Sequence, residues 1–95
     1  MSIPAIHKAT TADLRRDLVP GSFHAVERSD GTLAGFQFIC PCGCGNESWL
    51  PFGAAEGGWT FDRNLESPTL WPSVNNTGMP CGWHGWLRNG QWVLA

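Results

Sequence analysis

Tyrosine is absent from this sequence, and charge is scarce. Only 15% of the 95 residues are charged, and 6 Lys+Arg against 8 Asp+Glu leave a net charge of −2. A chain without a basic excess lacks the electrostatic footprint that a stand-alone nucleic-acid binder needs. No run of 18 apolar residues occurs, so no segment reads as a membrane-spanning helix. There is no internal repeat and no heptad pattern, which excludes a coiled coil, a long-helix bundle and a disordered acidic tail. The start, Met1-Ser2-Ile3-Pro4, has neither the basic nor the apolar region of a secretory signal, so the expected compartment is the cytoplasm. Common catalytic signatures are missing too: there is no His-Glu-x-x-His, no phosphate-binding loop and no Gly-x-Ser-x-Gly. The spacing of His24 and Glu27 does not fit the His-x-Glu of zinc deaminases.

What the chain has in quantity is glycine, proline and tryptophan: 12 Gly, 7 Pro, 6 Trp and 5 Phe. This composition and length predict one small, mainly β domain. Residues 1–22 read as a polar leader, with a short helical turn over Thr11–Leu18 closed by Pro20-Gly21. Residues 23–95 read as the domain proper. Phe23–Arg28 and Leu33–Cys40 flank Ser29-Asp30-Gly31-Thr32, a hairpin signal, and Trp49–Phe52 and Trp59–Asp62 read as short aromatic strands. The prolines of 63–80 confine that stretch to a loop or sheet edge. Asn89-Gly90 between two apolar runs predicts a two-residue hairpin pairing Arg88 with Gln91, Leu87 with Trp92, Trp86 with Val93 and His84 with Ala95. Alternation then puts Leu87, Trp92 and Leu94 on a core face, and His84, Trp86, Arg88 and Val93 on the other, with His84 directed toward the cysteines.

The four cysteines are the second feature. Reduced thiols clustered as Cys40-Pro41-Cys42-Gly43-Cys44-Gly45, followed by Cys81-Gly82-Trp83-His84, read as metal ligands. A tetrahedral zinc needs two turns that each present two side chains. Cys81 and His84 supply one pair, and Cys40, Cys42 and Cys44 offer three sulfurs for the other two places; spacing leaves the choice among them open. The glycines provide the positive φ that a tight knuckle requires. The expected cofactor is one structural zinc ion, contributing roughly 10 kcal/mol or more to folding. Five candidate ligands for four places argue for a closed site, hence against catalysis at the metal. His7 and His24 read as ordinary leader and surface residues.

Of the tryptophans, Trp59, Trp92 and Trp49 are expected in the core, and Trp83 and Trp86 beside His84. Trp71 in Leu70-Trp71-Pro72-Ser73 is expected at the surface. Trp71, Trp86 and Arg88 form the expected partner-binding set, because exposed Trp beside Pro and Arg is typical of protein contact surfaces.

The order of motifs over residues 21–94 carries a resemblance. Cys40-Pro41-Cys42-Gly43-Cys44-Gly45 is followed by Gly58-Trp59-Thr60-Phe61-Asp62, Ser67-Pro68-Thr69-Leu70-Trp71-Pro72-Ser73-Val74 and Trp83-His84-Gly85-Trp86-Leu87-Arg88-Asn89-Gly90-Gln91-Trp92. This resembles a family of small phage and bacterial proteins of unknown function, often labelled "ammonia monooxygenase". That activity does not carry over, since the chain has neither the membrane spans nor the copper ligands for it. The resemblance implies a phage or prophage origin, a zinc site at the cysteine cluster and the Cys/His turn, and kinship with domains of bacterial ubiquitin-like conjugation operons. The expectation is therefore a zinc-stapled antiparallel β domain with zinc-ribbon-like hairpins, acting in a bacterium or phage-infected host. It would be a non-enzymatic module binding a host or viral protein. The alternatives are a nucleic-acid-binding zinc module using Trp71, Arg63 and Arg88, and a zinc-dependent hydrolase or redox protein.

Overall fold

The computed structural model describes residues 2–53, 58–75 and 82–95. The chain is mainly β, as its composition predicts. The elements are β1 (Ser2–Pro4), α1 (Thr11–Asp17), β2 (Phe23–Glu27), β3 (Leu33–Ile39), β4 (Glu47–Pro51), β5 (Thr60–Phe61), β6 (Leu70–Trp71), β7 (Val74–Asn75), β8 (His84–Arg88) and β9 (Gln91–Leu94). They form three antiparallel sheets, ordered β1-β9-β8-β7, β2-β3-β4 and β5-β6.

Local chemistry accounts for most of these elements. Asn89 and Gly90 both take positive φ, 47° and 77°. That is the backbone a type I′ turn needs, and it fixes the β8–β9 register at Arg88↔Gln91, Leu87↔Trp92 and Trp86↔Val93. The Ala95 amide extends the ladder by donating to the His84 carbonyl at 2.9 Å. The α1 helix is capped one residue earlier than the sequence suggests. The Thr10 side chain accepts from the Asp13 amide at 3.0 Å, and Leu18 ends the helix in the left-handed region. Its buried Leu14 faces inward, while Thr11 donates to Gln37 and Arg15 pairs with Glu47, fastening the helix to β3 and β4.

The residues expected to form a leader are part of the sheet at their very start. Ile3 lies opposite Trp92, and β1 forms the edge next to β9. A three-residue strand with one proline carries too little pattern to be read from sequence alone.

The core is an aromatic cluster between the sheets. Phe23 stacks on Phe36 at 4.6 Å, Phe36 meets Phe61 edge-on at 5.6 Å, and Phe38 lies 4.8 Å from Trp92. Trp92 is 1% exposed, and its indole N–H donates to the Gly21 carbonyl at 2.8 Å. Trp59 packs partly buried against this cluster. Trp49 does not join it and is 46% exposed. The period of two along β4 turns Leu50 inward, so Trp49 points outward and lays its ring over the space left by Gly35. Leu87 and Trp92 are buried on their predicted face, whereas Leu94 at the strand end is 60% exposed. Gly85 is required by close approach: a Cβ there would run into the Val93 carbonyl and the Trp83 ring.

Replacing Trp92 with Phe removes a buried hydrogen bond and part of the central ring volume. The expected loss is about 2 kcal/mol or more of unfolding free energy. A urea titration of both proteins measures it, and an unchanged midpoint would remove Trp92 from its central place.

Candidate functional site

The loop joining β3 to β4 holds three of the four cysteines. Cys40 continues β3 into the core and is buried, while Cys42 and Cys44 are exposed. The loop is closed at its base by the Cys40 amide donating to the Asn46 carbonyl at 2.8 Å, and tightened by Gly43 donating to Cys40 at 3.2 Å. Gly43 and Gly45 take φ of 89° and 80°. This left-handed backbone lets five residues carry three sulfurs to one point.

The three Sγ atoms all lie within 4.8 Å of one another, close enough to hold a metal ion together. Sulfurs around a tetrahedral zinc sit about 3.8 Å apart, given the usual Zn–S distance, and Cys40 and Cys42 are 3.3 Å apart. The surroundings also suit thiolates. The Cys44 amide donates to Cys42 Sγ at 3.3 Å, and Asn46 Nδ2 donates to Cys44 Sγ at 3.4 Å. Hydrogen bonds of this kind stabilise negative sulfur and orient it. Cys81, named with these residues from the sequence, lies outside the described residues.

His84 is not in that group. Its ring points to the other face of the β1-β9-β8-β7 sheet, where Nε2 lies 3.3 Å from the hydroxyl of Ser73. The pairing of β7 with β8 produces this encounter. Asn75 is register partner of His84 and Val74 of Gly85. Val74 is fully buried, so alternation turns Ser73 and Asn75 outward, toward the histidine. Along β8 the same outward face continues with Trp86, 6.3 Å from the His84 ring, and Arg88, whose guanidinium lies 4.6 Å over the Trp86 ring. Trp71, 52% exposed, precedes Ser73 by two residues.

Among the described residues, His84 is the one histidine whose ring nitrogen meets a serine hydroxyl. His24 Nδ1 lies 3.0 Å from the Lys8 carbonyl, to which it can donate, and His7 packs against Phe23. Partial burial, with the neighbouring His24 as a smaller cause, holds the His7 pKa below its ordinary value. The Ser73–His84 distance is at the long end for a hydrogen bond but within the range of nucleophile–base pairs without substrate.

The family model described as "Bacterial ubiquitination-like system serine protease (BubE)" matches residues 10–95. The chain belongs to this family. BubE membership overturns the expectation of a non-enzymatic interaction module, because the family is described as a serine protease. No curated protein and no solved structure matches the chain. Sequence reasoning missed Ser73 for a physical reason. Ser73 and His84 sit eleven positions apart with no signature around the serine, and only the β7–β8 pairing makes them neighbours. The prolines of 63–80 predict only a loop or sheet edge there, and the partner strand of Val74–Asn75 emerges only in the fold.

Both dyad side chains stand on an open sheet face and fill no core space. Ser73→Ala and His84→Ala are each expected to change unfolding free energy by no more than about 0.5–1 kcal/mol. A larger loss in urea would mean that the pair is part of the structural framework.

Proposed function

We propose that this chain is a serine hydrolase of peptide or isopeptide bonds, acting on a protein of a bacterial ubiquitination-like system. Ser73 is its nucleophile and His84 its general base. The observation that carries this reading is the 3.3 Å contact of Ser73 Oγ with His84 Nε2 on an exposed sheet face. The family description supplies the reaction class.

In this mechanism Ser73 Oγ attacks the scissile carbonyl carbon while His84 Nε2 takes the hydroxyl proton. The tetrahedral adduct collapses with cleavage of the C–N bond, and the imidazolium gives its proton to the departing amine. Water then attacks the acyl ester, its proton passing to His84 and then to Ser73 as the acid is released. Asn75, directly across the ladder from His84, stands where a side-chain amide can orient the imidazole, as the third member of a triad does. Trp71, Trp86 and Arg88 border the dyad and serve as contact surface for the protein substrate.

The cysteine loop has a separate role. Cys40, Cys42 and Cys44 hold one structural zinc, with Cys81 as the fourth ligand. Its convergent sulfurs and their amide donors support this reading. The ion supplies cross-linking in a domain whose core is small, and none of the hydrolytic steps passes through it.

Two measurements test these roles. A fluorophosphonate probe is expected to label the protein on Ser73, shown by peptide mass mapping. Ser73→Ala and His84→Ala should each lower hydrolysis of a ubiquitin-like substrate by about a thousandfold. Labelling at another serine, or full activity in Ser73→Ala, would overturn the assignment. Metal analysis is expected to find one zinc per chain, and chelation should lower the urea midpoint sharply. A chelated protein with unchanged midpoint would deny the zinc its structural role.

A further inference from the structure

At the end of the sheet that bears the dyad lies an apolar cavity of ≈ 600 Å³. It is lined by Ile3, Trp83, Trp92 and Leu94, together with Pro41 and Cys42 of the cysteine loop. Trp83 stands edge-on to Trp92 at 5.6 Å and makes a flat, rigid side. Leu94 is exposed because it faces this space and not packed core.

The position of the cavity relative to the dyad follows from the pleat. Gly85 pairs with Leu94 and Leu87 with Trp92, so the cavity lies on the face opposite the His84 ring. His84 nevertheless borders it, since the cavity begins at the first residues of β8 and the last of β9. The catalytic histidine thus forms the rim, with its ring on one side of the sheet and the cavity on the other.

We propose that this cavity is the specificity pocket of the protease and takes a large apolar side chain of the substrate, two or three residues from the scissile bond. This rests on the Ser73–His84 reading. An extended peptide advances about 3.3 Å per residue. A chain rounding the end of β8 can therefore present its carbonyl to Ser73 and drop a side chain two or three positions away between Trp83 and Leu94. The volume falls within the range of ligand sites and the lining is mostly apolar, which selects Phe, Leu or Met over polar residues. No Lys, Arg, Asp or Glu side chain lines it, so a carboxylate or ammonium buried between Trp83 and Leu94 would lose its hydration without a salt-bridge partner there.

The test uses short, blocked Gly/Ser peptides carrying a single Phe, Leu, Ala or Asp. With the intact protein, the Phe and Leu peptides are expected to be cleaved with kcat/KM roughly tenfold to hundredfold above the Ala peptide, and the Asp peptide least. Mass spectrometry should place the cut within three residues of the apolar position. Leu94→Trp fills the cavity from an exposed position, and the Phe-to-Ala ratio should fall toward one. In parallel, Ser73→Ala is titrated with the same peptides, and tryptophan emission should respond to the Phe peptide and not to the Asp peptide. Equal cleavage of all peptides, or equal or absent binding to Ser73→Ala, would overturn the pocket assignment. Selective binding with cleavage that persists in Ser73→Ala would support the pocket and overturn the dyad.

Discussion

The indole of Trp92 is the point at which the two larger sheets are held together. It belongs to β9, packs on Phe38 of β3, and donates its N–H to the carbonyl of Gly21, 71 residues away in sequence. A domain of this size has few side chains to spare for its interior, and large rings compensate for the small number of aliphatic groups. One ring edge also meets Trp83, which directly precedes His84. Core packing and placement of the histidine are therefore one problem: a shift of Trp92 would move the start of β8.

The sheet separates two chemistries by its faces. The buried face meets the cysteine loop across an apolar space, and the exposed face carries Ser73, His84, Trp86 and Arg88. Period-two alternation is enough to achieve this, because adjacent residues Trp83 and His84 turn in opposite directions. The sequence suggests that His84 joins the cysteines because Cys81 and His84 have ligand spacing. In the folded chain, register with Asn75 and proximity to Ser73 direct the ring outward instead.

What could be read in advance was local. Asn89-Gly90 dictates its own turn and register, so the β8–β9 hairpin and its two faces follow from six or seven residues. The Cys40–Gly45 run likewise carries its own glycines, and its sulfurs converge as their spacing implies. What could not be read depends on distant partners. Strand β1 exists only because β9 offers an edge, and Trp49 is outward because β4 must bury Leu50. The dyad needs β7, a two-residue strand with no pattern of its own. Nothing in the residues around Ser73 distinguishes a nucleophile from a turn serine, and the reaction class came from family membership.

That two-residue strand has a mechanical meaning. β7 meets β8 at two register positions, whereas β8 meets β9 at four, and of its two side chains only Val74 is buried. Segments with few buried contacts open at a lower free-energy cost than the domain as a whole. Ser73 is thus held by the buried Val74 beside it and by its own carbonyl, which accepts from the Trp59 indole N–H at 3.2 Å. Releasing those two ties would part the Ser73 hydroxyl from His84 Nε2 while leaving the aromatic core in place, so the contact can be lost without the chain being unfolded.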